Sequence, residues 1–222
     1  MKEIPSKVLW HPSTVKSWKD SGYFTISGVN HRGKVATYDV PIEMYVAMSF
    51  NDFVNKSVKD EEAELPHGAS MSLMYAIMDA GLRSGDTQFT DFIRDGLRRY
   101  PHTRTAVDYM PKDNPDRVVH NVGSKNQYHI TEVNFAGKDS WIRDLKDASL
   151  LMALLEAENI EKINQVSQWV NGTDMFLYRL NSKPKQIDRR VAGFDADDDR
   201  LDLVCDRDPR GGCPAFRVLK VE

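Results

Sequence analysis

Asp195, Asp197 and Asp199 stand at alternate positions near the C-terminus, matching the 1, 3, 5 spacing with which a calcium-binding loop presents oxygen ligands. The match fails further on. The sixth position of such a loop turns sharply and takes glycine, yet here it is Arg200, a cation; the twelfth takes a bidentate Glu and is Asp206. Strand-like text flanks the segment where helices would be needed, so a solvated acidic loop is expected. His120, His129 and Glu132 make a poor metal set, because His129 and Glu132 would point to opposite faces of one strand; these histidines are expected to be solvated or at the core edge. Cys205 and Cys213 are the only cysteines and lack the paired spacing of a zinc ribbon. A local bridge between them is conceivable, and free thiols are the expectation. Arg94, Arg98 and Arg99 fall near a helix C-terminus, where cations complement the macrodipole, and Met71, Met74 and Met78 form a core stripe. There is no phosphate loop, dinucleotide fingerprint or nucleophile elbow. No catalytic residue, metal or cofactor is expected.

Composition limits the alternatives. With 222 residues, 41% of them hydrophobic, the chain can bury a core and is expected to form one domain over 1–222, with a helical elaboration at about 60–100. A formal net charge of -3 offers no general attraction to phosphate backbones or anionic lipid. No run is long and apolar enough to cross a bilayer, and the charged N-terminus has no apolar stretch behind it, so a secretory signal is not expected. Synthesis in the cytoplasm follows, and display on a virion or cell surface would need another route.

The elements that must position these residues read as α+β. "GYFTISGVN" and "KVATYDV" around "NHRG" predict a hairpin. Asp39 and Pro41 signal a helix start, continued by Ile42, Tyr45, Val46, Ser49, Phe50, Phe53 and Val54 to about Lys59. Further helices are expected from Ser70 to Leu82, from Thr87 to Tyr100, through Trp141, Leu145, Ala148, Leu151 and Leu155, and from Asn159 to a Gly172 stop. Strands are predicted at "TAVDYM", "RVVHNV" and "QYHITEVNF". Four more, "MFLYRL", "RRVAGF", "RLDLVC" and "AFRVLKVE", are expected to form an antiparallel set at the end.

From Ile187 through Leu219 there is no Lys, Glu, Gln, Met or Trp, although these types make up roughly a fifth of the chain. A chance gap of that length has a probability on the order of a part in a thousand for this composition. These five are the residues whose codons cannot end in a pyrimidine. Asparagine codons with randomised adenines reach Asp, Gly, Arg, Val, Cys and Leu, and none of the five. The stretch "RVAGFDADDDRLDLVCDRDPRGGCPAFRVLKVE", with its Gly-Phe start, Cys-Asp-Arg-x-Pro turn and Pro-Ala-Phe-Arg-Val ending, resembles the variable region of the variable proteins of diversity-generating retroelements. "MFLYRLNSKP" looks like its lead-in strand. The resemblance covers about the last fifty residues, with 187–222 as the variable region, and matches the rest only in general order.

The resemblance implies a C-type lectin-like fold with short antiparallel C-terminal strands and additional helices, and a non-enzymatic role in binding a protein or cell-surface ligand. It implies a diversified, ligand-facing set of Asp195, Asp197, Asp198, Asp199, Asp202, Val204, Asp206, Asp208, Arg210, Gly211, Gly212 and Cys213. Phe194, Leu201, Leu203, Phe216, Val218 and Val221 would be scaffold, and Pro209, Pro214, Ala215 and Phe216 invariant turn and core positions. Alternation in "RLDLVC" places Leu201, Leu203 and Cys205 on one face and Asp202 and Val204 on the other. Seven Asp against Arg200, Arg207 and Arg210 favour a basic or polar target. In this fold the final strand should pair with "YFTISGV" or "KVATYDV". The competing reading is a small metal-dependent enzyme using the acidic loop.

Overall fold

A hairpin opens the described chain. In the computed structural model, which describes residues 13–16, 22–112 and 114–221, β1 (Val15–Lys16), β2 (Tyr23–His31) and β3 (Lys34–Pro41) are antiparallel neighbours. His31 pairs with Lys34, leaving Arg32 and Gly33 as a two-residue turn, both at positive φ (55° and 71°). That geometry matches the right-handed twist of the flanking strands. There follow β4 (Tyr45–Met48), α1 (Phe50–Glu62), β5 (His67–Gly68), α2 (Met71–Ser84) and α3 (Thr87–Leu97). Then come β6 (Thr105–Tyr109), β7 (Asp116–His120), β8 (Tyr128–Val133) and β9 (Ser140–Trp141). The chain closes with α4 (Ser149–Leu155), α5 (Ile160–Asn171), β10 (Met175–Tyr178), β11 (Asp188–Ala196), β12 (Leu201–Arg207), β13 (Cys213–Ala215) and β14 (Arg217–Lys220).

Side chains cap the helices as their sequence suggests. Ser70, Asp86 and Asn159 each accept from the backbone N–H three residues on, and Gly172 ends α5 at φ 74°. The strands form a five-stranded sheet ordered β1-β2-β3-β14-β5, a seven-stranded sheet ordered β8-β7-β6-β11-β12-β10-β9, and the pair β13-β4. The architecture is mixed α+β. Its main core joins Phe24, Ile26, Met71, Ile77, Phe89 and Ile93 to Leu177, Phe194, Leu203 and Phe216, so α2 and α3 fill the interior rather than extend from it. A smaller cluster around Tyr45, Phe50 and Phe53 packs against Ala106, Val119 and Val191.

Several expectations are corrected. Pro41 ends β3, and the helix starts at Phe50 behind the Ser49 cap. Tyr45 belongs to a strand paired with Ala215, its hydroxyl donating to Asp60 at 2.5 Å, while Val46 stays 74% exposed. The helical spacing of 42–54 is overridden by that tertiary pairing. The predicted helix through Trp141 is instead β9 followed by a 3₁₀ turn and the seven-residue α4, because Trp141 pairs with Phe176. Helix α3 ends at Leu97, short of Tyr100. The terminal strands are not all antiparallel, since β10 runs parallel to β12. Val221 is 44% exposed and is not core. His120 is fully buried, its ring nitrogens bonded to the Thr105 hydroxyl and the Ala153 carbonyl, not solvated or at the core edge. The final strand pairs with β3, Leu219 opposite Asp39 and Lys220 opposite Tyr38; Glu222 lies outside the described residues.

Candidate functional site: the outward face of the C-terminal strands

Residues paired across a sheet share a face, so the register alone sorts the C-terminal strands. Met175, Leu177, Leu201, Leu203, Phe194 and Ala196 are all buried on the inner side. The outer side carries a row Trp141, Phe176, Asp202, Asp195 across β9, β10, β12 and β11, and beside it Tyr178, Val204 and Gly193. Trp141 and Phe176 meet edge to face at 5.2 Å, and Phe176 and Tyr178 at 5.0 Å. Arg200 lies over both Phe176 and Tyr178 at 5.0 and 5.2 Å and donates to the Tyr178 hydroxyl at 2.5 Å. Arg143 lies over Trp141 at 5.0 Å. These aromatic rings are partly exposed. Tyrosine, tryptophan and arginine give large, rigid contact area with a polar tip, the residue types that dominate protein recognition.

The acidic positions have distinct settings. Asp202 is 3% exposed, less open than a freely variable position, because Arg200 lies across it in an ion pair of 2.8 Å. Burial pushes its carboxyl up to about 6, against the pull of Arg200. Asp195, directly opposite Asp202, is also raised by burial and contacts the Arg207 guanidinium. Arg207 donates in turn to the carbonyls of Tyr100 and Pro101 at 2.9 and 2.8 Å. A Cβ on Gly193 would fall 2.9 Å from that Pro101 carbonyl, so only glycine fits there. The turn beyond holds Asp197, Asp198 and Asp199. Asp197 accepts from Tyr100 at 2.9 Å, its carbonyl accepts from Asn171 at 2.7 Å, and Asp198 and Asp199 are exposed with Arg98 3.7 Å from Asp198.

The structure brings together only part of the sequence-predicted set. Asp195, Asp197, Asp198, Asp199, Asp202 and Val204 gather at the β11–β12 end beside the aromatic row. Asp208, Arg210, Gly211 and Gly212 lie beyond the other end of the seven-residue β12. There Arg210 hydrogen bonds hold the Asp208 carboxyl well below the usual range, the Pro209 carbonyl accepts from Phe50 N–H at 3.0 Å, and the Gly211 carbonyl is bonded to His102 at 3.2 Å. Asp206 is partly exposed on the strand between the two ends, and Cys213 pairs with Met48. Cys205 is buried and Cys213 partly so, and both are free thiols. Among the described residues no three His, Cys, Asp or Glu side chains are grouped to hold a metal, and no helix is long and apolar enough to cross a membrane.

Sequence reading missed Trp141, Phe176 and Tyr178. The signal was present in "MFLY", whose alternation sends Met175 and Leu177 inward and both aromatics outward. No protein-family model, curated protein or solved structure matches the chain.

Proposed function

We propose that this chain is a non-enzymatic ligand-binding protein with a C-type lectin-like domain, its C-terminal segment diversified by a retroelement for recognition of varied protein or cell-surface targets. One observation carries the reading. Within the stretch that lacks five residue types, Phe194, Leu201, Leu203, Phe216 and Val218 are buried, while Asp195, Asp202, Val204 and Asp206 face outward and Asp198, Asp199 and Arg210 are exposed in the turns. A scaffold of that kind tolerates change at its loops because the loop side chains do not hold the core together. Closure of β14 onto β3 and the short β11–β12 hairpin support the lectin-like reading. The aromatic and arginine row lies outside 187–222 apart from Arg200, and would supply a constant contact beside a variable one.

The test lies in the gene. A near-identical repeat is expected nearby, beside a reverse transcriptase gene, with adenines wherever the two copies differ. Differences should concentrate on the codons of Asp195, Asp197 to Asp199, Val204, Asp206, Asp208 and Arg210 to Cys213, and spare Phe194, Leu201, Leu203, Pro214 and Phe216. Genome sequencing that finds no repeat, or differences spread evenly over core and loop codons, overturns the reading.

A further inference from the structure

Away from the C-terminal face, polar side chains concentrate around one cavity of about 320 Å³ between the β2–β3 turn, α2 and the α4–α5 connection. None of its lining residues belongs to 187–222. Its volume falls at the lower end of small-ligand sites, about 300–1,000 Å³. The wall carries His31 and Arg32 from the turn, Tyr75 and Asp79 one helical turn apart on α2, Glu156 at the end of α4 and Lys162 from α5.

Tyr75 is 6% exposed, and its buried hydroxyl has no hydrogen-bond partner. Oε2 of Glu156 is likewise buried without an aligned donor, and Oδ1 of Asp79 lies 3.0 Å from the Lys162 ammonium. Glu156 otherwise accepts from the Tyr128 hydroxyl at 2.7 Å, and Asp79 is ion-paired with Lys162 at 3.0 Å and Arg83 at 3.3 Å. Buried polar atoms are nearly always paired, so two unpaired oxygens on residues lining one cavity, beside the Asp79 carboxylate, point to a ligand that donates hydrogen bonds. Charge is layered there. The acids lie inside, with side chains 11% and 18% exposed for Asp79 and Glu156, whereas Lys162 and Arg32 at the rim are 46% and 52% exposed.

Two other readings fit less well. A metal ion needs converging ligands, and no such group occurs among the described residues. Hydrolysis would use Ser72, whose hydroxyl is 3.0 Å from His31 Nε2. Glu156 approaches that same nitrogen at 3.5 Å, so it does not orient the ring through the opposite nitrogen as a nucleophile–base–acid chain requires. Burial, with Arg32 and His120 nearby, lowers His31 to about 4, so at neutral pH the ring supplies no positive charge to Glu156.

We propose that this cavity binds a small zwitterionic amine, its primary ammonium donating to Tyr75, Asp79 and Glu156 and its anionic end facing Lys162 and Arg32. Calorimetric titration of the full chain with γ-aminobutyrate, against butylamine, butyrate and 1,4-butanediol, tests it. Saturable binding of γ-aminobutyrate is expected, with butylamine about tenfold weaker and no saturable heat from butyrate or the diol. Tyr75→Phe and Glu156→Gln should each weaken γ-aminobutyrate by about tenfold or more, with a melting temperature for free Tyr75→Phe no lower than that of the parent. Should Glu156→Gln fail to fold, Tyr75→Phe, which removes one unpaired oxygen, decides alone. No saturable binding of γ-aminobutyrate, binding unchanged in Tyr75→Phe, or equal binding of the diol each overturns the proposal.

Discussion

Asp202 shows how one side chain's setting governs a measurable property. In the unfolded chain its carboxyl titrates near its ordinary value of 3.8, and burial raises it to about 6 in the fold. Between these values the folded state holds more protons than the unfolded one. The contribution of this group to stability is therefore fully present below about pH 4 and lost as pH rises toward 6. Asp202→Asn keeps the shape without the charge. It is expected to match the parent near pH 4 and to exceed it at pH 7 by about 2 kcal/mol, as read from urea unfolding at the two pH values. Parallel pH profiles for parent and variant would contradict the assignment. Loss of the like-charge pair with Asp195 acts in the same direction.

At the scale of elements, the C-terminal strands divide into an inner side that holds the fold and an outer side that does not. Leu203 is fully buried, and Leu203→Ala should cost about 2–5 kcal/mol. The double substitution of exposed Asp198 and Asp199 by Ala should change stability by no more than about 0.5 kcal/mol per site. Chemical denaturation of the two variants checks the contrast, and similar losses in both would contradict the division. Helix α3 docks on the end of the chain through Gly96, where a Cβ would meet the Phe216 ring at 2.2 Å. Gly96→Ala is expected to destabilise by about 1–3 kcal/mol through overpacking, despite its higher helix propensity. A thermal melt at or above the parent value would show that Phe216 moves aside freely.

On the whole-molecule scale, the last strand lies between β3 and β5 rather than at an edge. It joins the N-terminal hairpin to the rest, and Phe216 just before it and Val218 within it are 3% and 1% exposed. Deleting residues 216–222 would open two strand pairings and remove two core side chains, a loss comparable with a marginal domain's entire stability. Such a truncation is expected to show no cooperative thermal transition by calorimetry, whereas deleting Val221 and Glu222 alone should preserve it. A truncated chain that still melted sharply would mean that the terminal strand is dispensable.

Local patterns in the sequence determined the α+β class, the β2–β3 hairpin, the capped helices α2, α3 and α5, and the inward side of β12. Each depends on neighbours a few residues apart: a turn that accepts positive φ at Arg32 and Gly33, a Ser, Asp or Asn cap, an alternation of period two. Tertiary structure decided the rest. Residues 45–48 fall within a helical spacing that begins at Ile42, yet became a strand because Tyr45 finds Ala215 across 170 residues of chain. Trp141 left its expected helix to pair with Phe176, and β10 joined β12 in parallel. The candidate surface divided in the same way: the composition of 187–219 marked the segment, but its two ends lie on opposite ends of one strand. Whether Asp202 is open or covered depended on Arg200 and the aromatic row of a neighbouring strand. Such outcomes rest on contacts between residues far apart in sequence, whose energies exceed the small local preferences that a single chain segment records.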